Sequence, residues 1–197
     1  MATRTTNDPA TGRGFAVRAA RPDDVAAARA LMIRTFEEDF GYGYKPEYHA
    51  DVDDLRGVYL DHPRHALYVA VADGTGEVVG TAGVRSGGLK PAFNDPWLVA
   101  RYDPERTAQL VRVYTLREWR GRGVARALVA RLLEFVAEEG SYAVVALHTD
   151  PRSPGAERFW RSLPTTLIHD DREGPSGSLH FELAIPHESS VVSRVVG

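Results

Sequence analysis

The chain has 197 residues, 43% of them apolar and 26% charged, with 24 Lys+Arg against 27 Asp+Glu and no cysteine. That is the profile of one globular domain that buries roughly 70% of its unfolded surface without a disulfide or structural metal. The lack of cysteine excludes a thiol nucleophile, a thiolate zinc site, an iron-sulfur cluster and a CxxC redox pair. A net charge of -3 gives no general field for nucleic acid or an anionic membrane. No apolar run approaches the roughly 18 residues of a membrane span, and residues 1–13 lack the apolar core of a leader, so a cytoplasmic protein is expected.

Residues 1–14 are rich in Thr, Asn, Pro and Gly and are expected to form a mobile arm before a domain spanning 15–185. Phe15, Val17 and Ala19 alternate as a short strand. Pro22-Asp23-Asp24 then opens a helix through Val25, Ala28, Leu31, Met32 and Phe36. Gly41-Tyr42-Gly43-Tyr44 breaks it, and a second helix is expected over 48–60, ended by Pro63. Runs 66–72 and 78–84 flank Asp73-Gly74-Thr75-Gly76 as a hairpin. The connection 86–107, with three prolines, is long for a compact domain and predicts function or extra structure. A strand over 110–116 precedes an amphipathic helix carrying Val124, Leu128, Val129, Leu132, Leu133 and Val136, closed by Gly140. A strand over 142–149, a helix over 154–163 and strands over about 166–170 and 179–185 complete the domain, with 186–197 as a tail.

Chemistry concentrates where the strand 110–116 turns into the long helix. Glycines at such a turn let backbone N–H groups converge, and a helix N-terminus adds a positive dipole end, which together suit a pyrophosphate. Arg122 and Arg126 could add charge. A P-loop is excluded because no Gly-Lys-Ser/Thr run exists, and the dinucleotide fingerprint fails because Gly121-Arg122-Gly123-Val124-Ala125 is followed by Arg126.

Arg120-Gly121-Arg122-Gly123-Val124-Ala125 fits the pattern Arg/Gln-x-x-Gly-x-Gly/Ala and, with its preceding strand, resembles the acetyl-CoA signature of the GNAT superfamily of N-acetyltransferases. The order of elements over about 15–185 is similar to that family throughout. The resemblance implies an α/β (α+β) domain: a mixed, mostly antiparallel sheet flanked by helices, whose fourth and fifth strands splay apart around acetyl-CoA. The pantetheine arm would pair with backbone groups of Val113, Tyr114 and Thr115. The pyrophosphate would rest on the turn and helix start, Arg120, Gly121, Arg122, Gly123, Val124, Ala125 and Arg126, while Ser153 and Trp160 would line the thiol side.

The chain departs from the family pattern at reactive positions: Gln109 stands where many members have a glutamate base, Trp160 where many have a tyrosine acid, Ser153 replaces an Asn and Pro164 a Gly. Transfer can survive this, because a thiolate whose thiol pKa is about 8.5 leaves without strong acid help. Expected catalytic groups are Tyr114 as a donor, His148 on the strand bordering the wedge as a base, and Glu38, next to Glu37 and Asp39, as the carboxylate that meets an ammonium. Tyr42, Tyr44 and Trp97 are the aromatic candidates for the acceptor pocket. His62 and His65 flank Pro63 and cannot share a helix face, so no metal is expected. The resulting expectation is transfer of acetyl from acetyl-CoA to a primary amine of a small molecule. The alternatives are a peptide N-terminal or lysine acetyltransferase and an inactive acetyl-CoA-binding sensor, and a homodimer is compatible with each.

Overall fold

The computed structural model describes residues 14–186; all but the last residue of the expected N-terminal arm and all but the first of the expected C-terminal tail lie outside them. Strand β1 (Phe15–Ala19) leads into α1 (Val25–Glu38) and α2 (Pro46–Asp53). Then follow β2 (Ala66–Ala72), β3 (Val78–Ser86), α3 (Pro96–Arg101), β4 (Thr107–Thr115), α4 (Val124–Glu139), β5 (Val144–Thr149), α5 (Ala156–Arg161), β6 (Thr165–Asp170) and β7 (Leu179–Leu183). The seven strands form one sheet in the order β1-β2-β3-β4-β5-β7-β6. Among the described residues only β4 and β5 pair in parallel, as a strand-helix-strand crossover requires.

Helix α4 covers one face of the sheet through Val124, Leu128, Val129, Leu132 and Val136, each buried and contributing about 1.5–3 kcal/mol by leaving water. It lies so close that a Cβ on Gly80 would stand 2.7 Å from Val124. The opposite face packs on α1 and on the turn carrying Tyr59, which a Cβ on Gly83 would meet at 2.9 Å. Strand alternation therefore assigns Gly80, Ala82 and Val84 to the α4 face, and Thr81, Gly83 and Arg85 to the other.

Three expectations change. The helix expected over 48–60 is broken: α2 ends at Asp53, Asp54 leaves helical geometry, and a single wide turn follows over Arg56–Leu60. The Asp54 carboxylate accepts the Gly57 N–H at 2.9 Å, so a short acidic side chain competes with the helical ladder and wins. Strand β4 begins at Thr107 rather than 110, because the polar Thr107 and Gln109 are buried between β3 and β5. The helix expected over 154–163 shrinks to Ala156–Arg161, preceded by Gly155 at φ +79°. The connection 86–107 holds α3, whose Leu98, with the adjoining Tyr102, seats on Ala146 in a small second core.

Candidate functional site

Strands β4 and β5 pair only from Thr107–Gln109 to Val144–Ala146, then part. Beyond Gln109, β4 keeps β3 on one edge and presents its other edge to a cleft of about 630 Å³. Val113, Tyr114 and Thr115 line the cleft on one side and Thr149, Ser153, Phe159 and Trp160 on the other; Arg120, Gly121, Gly123, Val124, Ala125 and Arg126 close one end. Of the residues expected to hold acetyl-CoA, only Arg122 is absent from this lining, its guanidinium lying 4.7 Å over the Trp119 ring.

The closed end has features that suit an anion. Gly121 and Gly123 take φ of +77° and +85°, a left-handed conformation that lets the turn enter α4 without a side chain in the way. Among the described residues no side chain caps the 16-residue helix, which leaves its first N–H groups to meet a ligand, and the macrodipole favours negative charge there. Arg126 is held to Ser162 Oγ at 2.9 Å, and Arg120 donates to the Thr115 carbonyl at 3.1 Å while pairing with Asp39. Along the wall, Thr115 Oγ1 is buried with no hydrogen-bond partner among the described residues. An uncapped helix end, an unpartnered strand edge and an orphaned hydroxyl fit a pyrophosphate joined to an extended amide chain.

At the fork, β4 carries a bulge. The register shifts between Thr81 and Gly83, and Arg112 stands at φ +56°, a left-handed position unusual for a residue other than glycine. The bulge sends the Arg112 side chain onto Asp51, whose carboxylate it grips through two nitrogens, and onto the Tyr48 carbonyl at 2.8 Å. Burial pushes the Asp51 carboxyl up, but Arg112 and the Tyr59 hydroxyl more than offset this and hold it below the usual range. Tyr114 sits beside this pair with its ring edge on Phe36 at 5.8 Å, and Arg112 donates to its oxygen at 3.5 Å. Burial raises the Tyr114 pKa despite Arg112, so the phenol keeps its proton, which remains available to a neighbour in the cleft.

His148 lies on β5 outside the cleft lining, accessible to solvent. Desolvation by the groups packed around the ring, followed by His180 and the charges of Arg85, Arg112 and Lys90, pushes its pKa down to about 4, so it is a neutral imidazole at pH 7. Gln109 donates to the Gly88 carbonyl at 2.8 Å and ties the 86–107 connection to the fork. Trp160 is buried at 6% exposure and packs edge-on to Phe159 at 4.9 Å. An indole N–H has no useful acidity, so Trp160→Phe is expected to keep kcat within tenfold. A loss beyond a hundredfold with acetyl-CoA affinity retained, measured by thiol release and calorimetry, would show that the N–H acts in the reaction.

The acceptor candidates separate. Glu37 and Glu38 are exposed at the end of α1. Glu38 is held by Arg34 at 2.8 Å and Arg117 at 3.8 Å, and neither glutamate lines the cleft. Asp39 does line it, its carboxylate held below the usual range because Arg120 and Arg117 outweigh the cost of its burial. Tyr42 stacks on Phe40 at 5.6 Å and feels the charge of Tyr114 and Arg112, which places it at the fork. Tyr44 turns instead to Asp53, and the half-exposed Trp97 packs edge-on to His169 of β6 at 5.2 Å. Sequence reading missed Asp51, Arg112 and Arg85; the acidic run ending at Asp39 was visible, but not which of its members reaches the cleft.

The sequence model described as the Acetyltransferase (GNAT) family matches residues 29–163. Among curated proteins, the chain is 30% identical over 115 residues to the N-acetylaspartate synthetase of Rattus norvegicus, covering 58% of this chain and 32% of that protein. The match thus spans about a third of the relative's length. Among solved structures it is similar to an acetyltransferase of the GNAT family from Staphylococcus aureus Mu50, with a TM-score of 0.67 and 12% identity over 87% of this chain and 99% of that one. A second, from Streptococcus pneumoniae, gives a TM-score of 0.63 at 14% identity, covering 87% and 99% of the two chains. With its splayed strands, glycine turn and uncapped helix, this chain belongs to the GNAT family of N-acetyltransferases.

Proposed function

We propose that the protein transfers an acetyl group from acetyl-CoA to the primary amine of a small molecule. The observation that carries this reading is the wedge between β4 and β5 that ends on the uncapped α4 N-terminus. Acetyl-CoA would supply a thioester carbonyl; a C–N bond forms as the C–S bond breaks, and one amine proton ends on the CoA thiol. The residues named for the donor are Val113, Tyr114 and Thr115 for the extended arm and the turn Arg120–Arg126 for the pyrophosphate.

Tyr114 is the donor we assign to the departing sulfur. Its phenol stays protonated, its oxygen already accepts from Arg112, and its hydrogen is therefore free to stabilise a developing thiolate. His148 is the base we assign to the amine. A weakly basic imidazole suffices, because the nitrogen that has added to a carbonyl is far more acidic than the free ammonium. Glu38 is not used, since its carboxylate is committed to two arginines. A curated relative named for the synthesis of N-acetylaspartate supports a small-molecule amine over a peptide.

The test is thiol release from acetyl-CoA with a panel of small amines and N-terminal and lysine peptides. Turnover of small amines, rising with pH as the free amine forms, is expected. His148 is neutral from pH 5 to 8 and should add no inflection there. Tyr114→Phe should lower kcat about tenfold with unchanged acetyl-CoA affinity. Turnover of peptides alone, or binding without any turnover, would replace the reading by the peptide enzyme or the sensor.

A further inference from the structure

The sheet face opposite α4 carries a cation that forms no ion pair among the described residues. Arg85 on β3 stands opposite Gln109 on β4, which in turn stands opposite Ala146 on β5. His148, two residues beyond Ala146, points to the same face by strand alternation. Around them the carboxylates are spoken for: Asp51 by Arg112 and Tyr59, Asp150 by Arg152, and Glu182 by Arg101. Among the described residues no carboxylate forms an ion pair with Arg85, which is half-buried. Lys90, whose ammonium donates to the Glu47 backbone carbonyl at 3.3 Å, adds a further positive charge to the region. The positive field of Arg85 acts on Asp51, His65 and His148, which places its charge between the hairpin and the fork.

A half-buried guanidinium in no direct ion pair has lost part of its hydration for only the distant attraction of Asp51, and its planar fork matches a carboxylate bidentately. The spacing is short. Arg85 is two residues along β3 from Gly83, which stands opposite Val111 at the edge of the bulge, a step of about 7 Å. We infer that Arg85 is a carboxylate anchor of the acceptor site, so that the acceptor is an amine carrying a carboxylate a few bonds away, as in a free amino acid. This rests on the acetyltransferase reading above and narrows its substrate class. The ammonium needs no protein carboxylate at this site, because the acceptor brings its own negative charge to the cationic face.

The experiment compares amino acids with their uncharged counterparts: L-aspartate, L-glutamate and L-alanine against L-alaninamide and ethylamine, each with acetyl-CoA and thiol detection. The acids are expected to exceed the amide and the alkylamine at least tenfold in kcat/KM. Arg85→Gln should abolish that preference mainly through KM, with unchanged acetyl-CoA affinity, and Arg85→Lys should keep part of it. The melting temperature of Arg85→Gln should not fall, because no ion pair is lost; were that variant to unfold, Arg85→Met, which also removes the charge and keeps the apolar stem, carries the same comparison. Turnover of the neutral amines without preference for the acids, or a preference that survives both substitutions, would overturn the anchor and leave the acetyltransferase reading standing. No turnover with any amine would overturn both.

Discussion

Replacing Gly123 by glutamate is expected to weaken acetyl-CoA binding about a hundredfold, equivalent to about 2.8 kcal/mol, without unfolding the protein. Two effects act together. Gly123 occupies the left-handed region at φ +85°, where a side chain costs roughly 1–2 kcal/mol, and it stands at the uncapped start of α4 in the cleft lining. A carboxylate there would take the place of the donor's anion, and the same N–H groups and dipole that would hold a pyrophosphate would hold the mutant's own side chain. Gly123→Asn separates the terms, because asparagine tolerates the left-handed region and carries no charge; it should lose less than tenfold. Calorimetry with acetyl-CoA decides: unchanged affinity in a folded Gly123→Glu protein would remove the pyrophosphate from this turn.

That turn was legible in the sequence for a physical reason. Left-handed glycines, a following amphipathic helix and a preceding β-branched strand are local features, and local features survive in a string of residues. The splay of β4 and β5 followed from the family resemblance, and the register bears it out with pairing confined to the three residues from Thr107. What stayed hidden depends on contacts distant along the chain. No propensity places Arg112 at φ +56°, because that conformation is held by Asp51, 61 residues away. Likewise, the acidic run at 37–39 was visible in the sequence, yet whether Glu38 or Asp39 reaches the cleft depends on where Arg117 and Arg120 return to α1. The break at Asp54 was also missed, since periodicity reports an apolar face and is blind to one carboxylate turning back on the backbone.

The two faces of the sheet divide the chemistry. On the α4 side and along the splayed edge, uncapped N–H groups and a strand without a partner suit a long anionic donor. On the opposite face, Arg85, His148 and the Arg112–Asp51 pair surround the place from which an amine would approach. Tyr114 belongs to both, since it lines the cleft and touches Arg112. The bulge is the element that makes this double membership geometrically available, because an extra residue in β4 re-aims the strand between Val111 and Tyr114.

Asp51→Asn is therefore expected to damage stability and catalysis together. The pair is nearly sealed from solvent, with side-chain exposures of 11% for Arg112 and 5% for Asp51. Removing one charge of a buried pair strands the other and costs about 3 kcal/mol, which at 2–4 °C per kcal/mol in a chain of this size lowers Tm by roughly 6–12 °C. The asparagine can still donate or accept a hydrogen bond, but it no longer compensates a guanidinium held over Phe36 at 5.6 Å. The sign of the pH dependence follows from the depressed Asp51 pKa. Its contribution is fully present above the unfolded carboxyl value of about 3.9 and is lost as pH falls through the lower folded value. The stability gap between wild type and Asp51→Asn should thus be constant from pH 5 to 8 and close only in stronger acid. Because Arg112 also contacts Tyr114, kcat should fall by more than the Tyr114→Phe loss, while acetyl-CoA affinity, which the proposed site would supply mainly at the far end of the cleft, should change less than threefold. Urea titrations across pH together with kcat at 25 °C test both halves. A variant as stable as wild type at pH 7, or one whose Tm falls while kcat is untouched, would show that the Arg112–Asp51 pair neither holds the bulge nor positions the tyrosine.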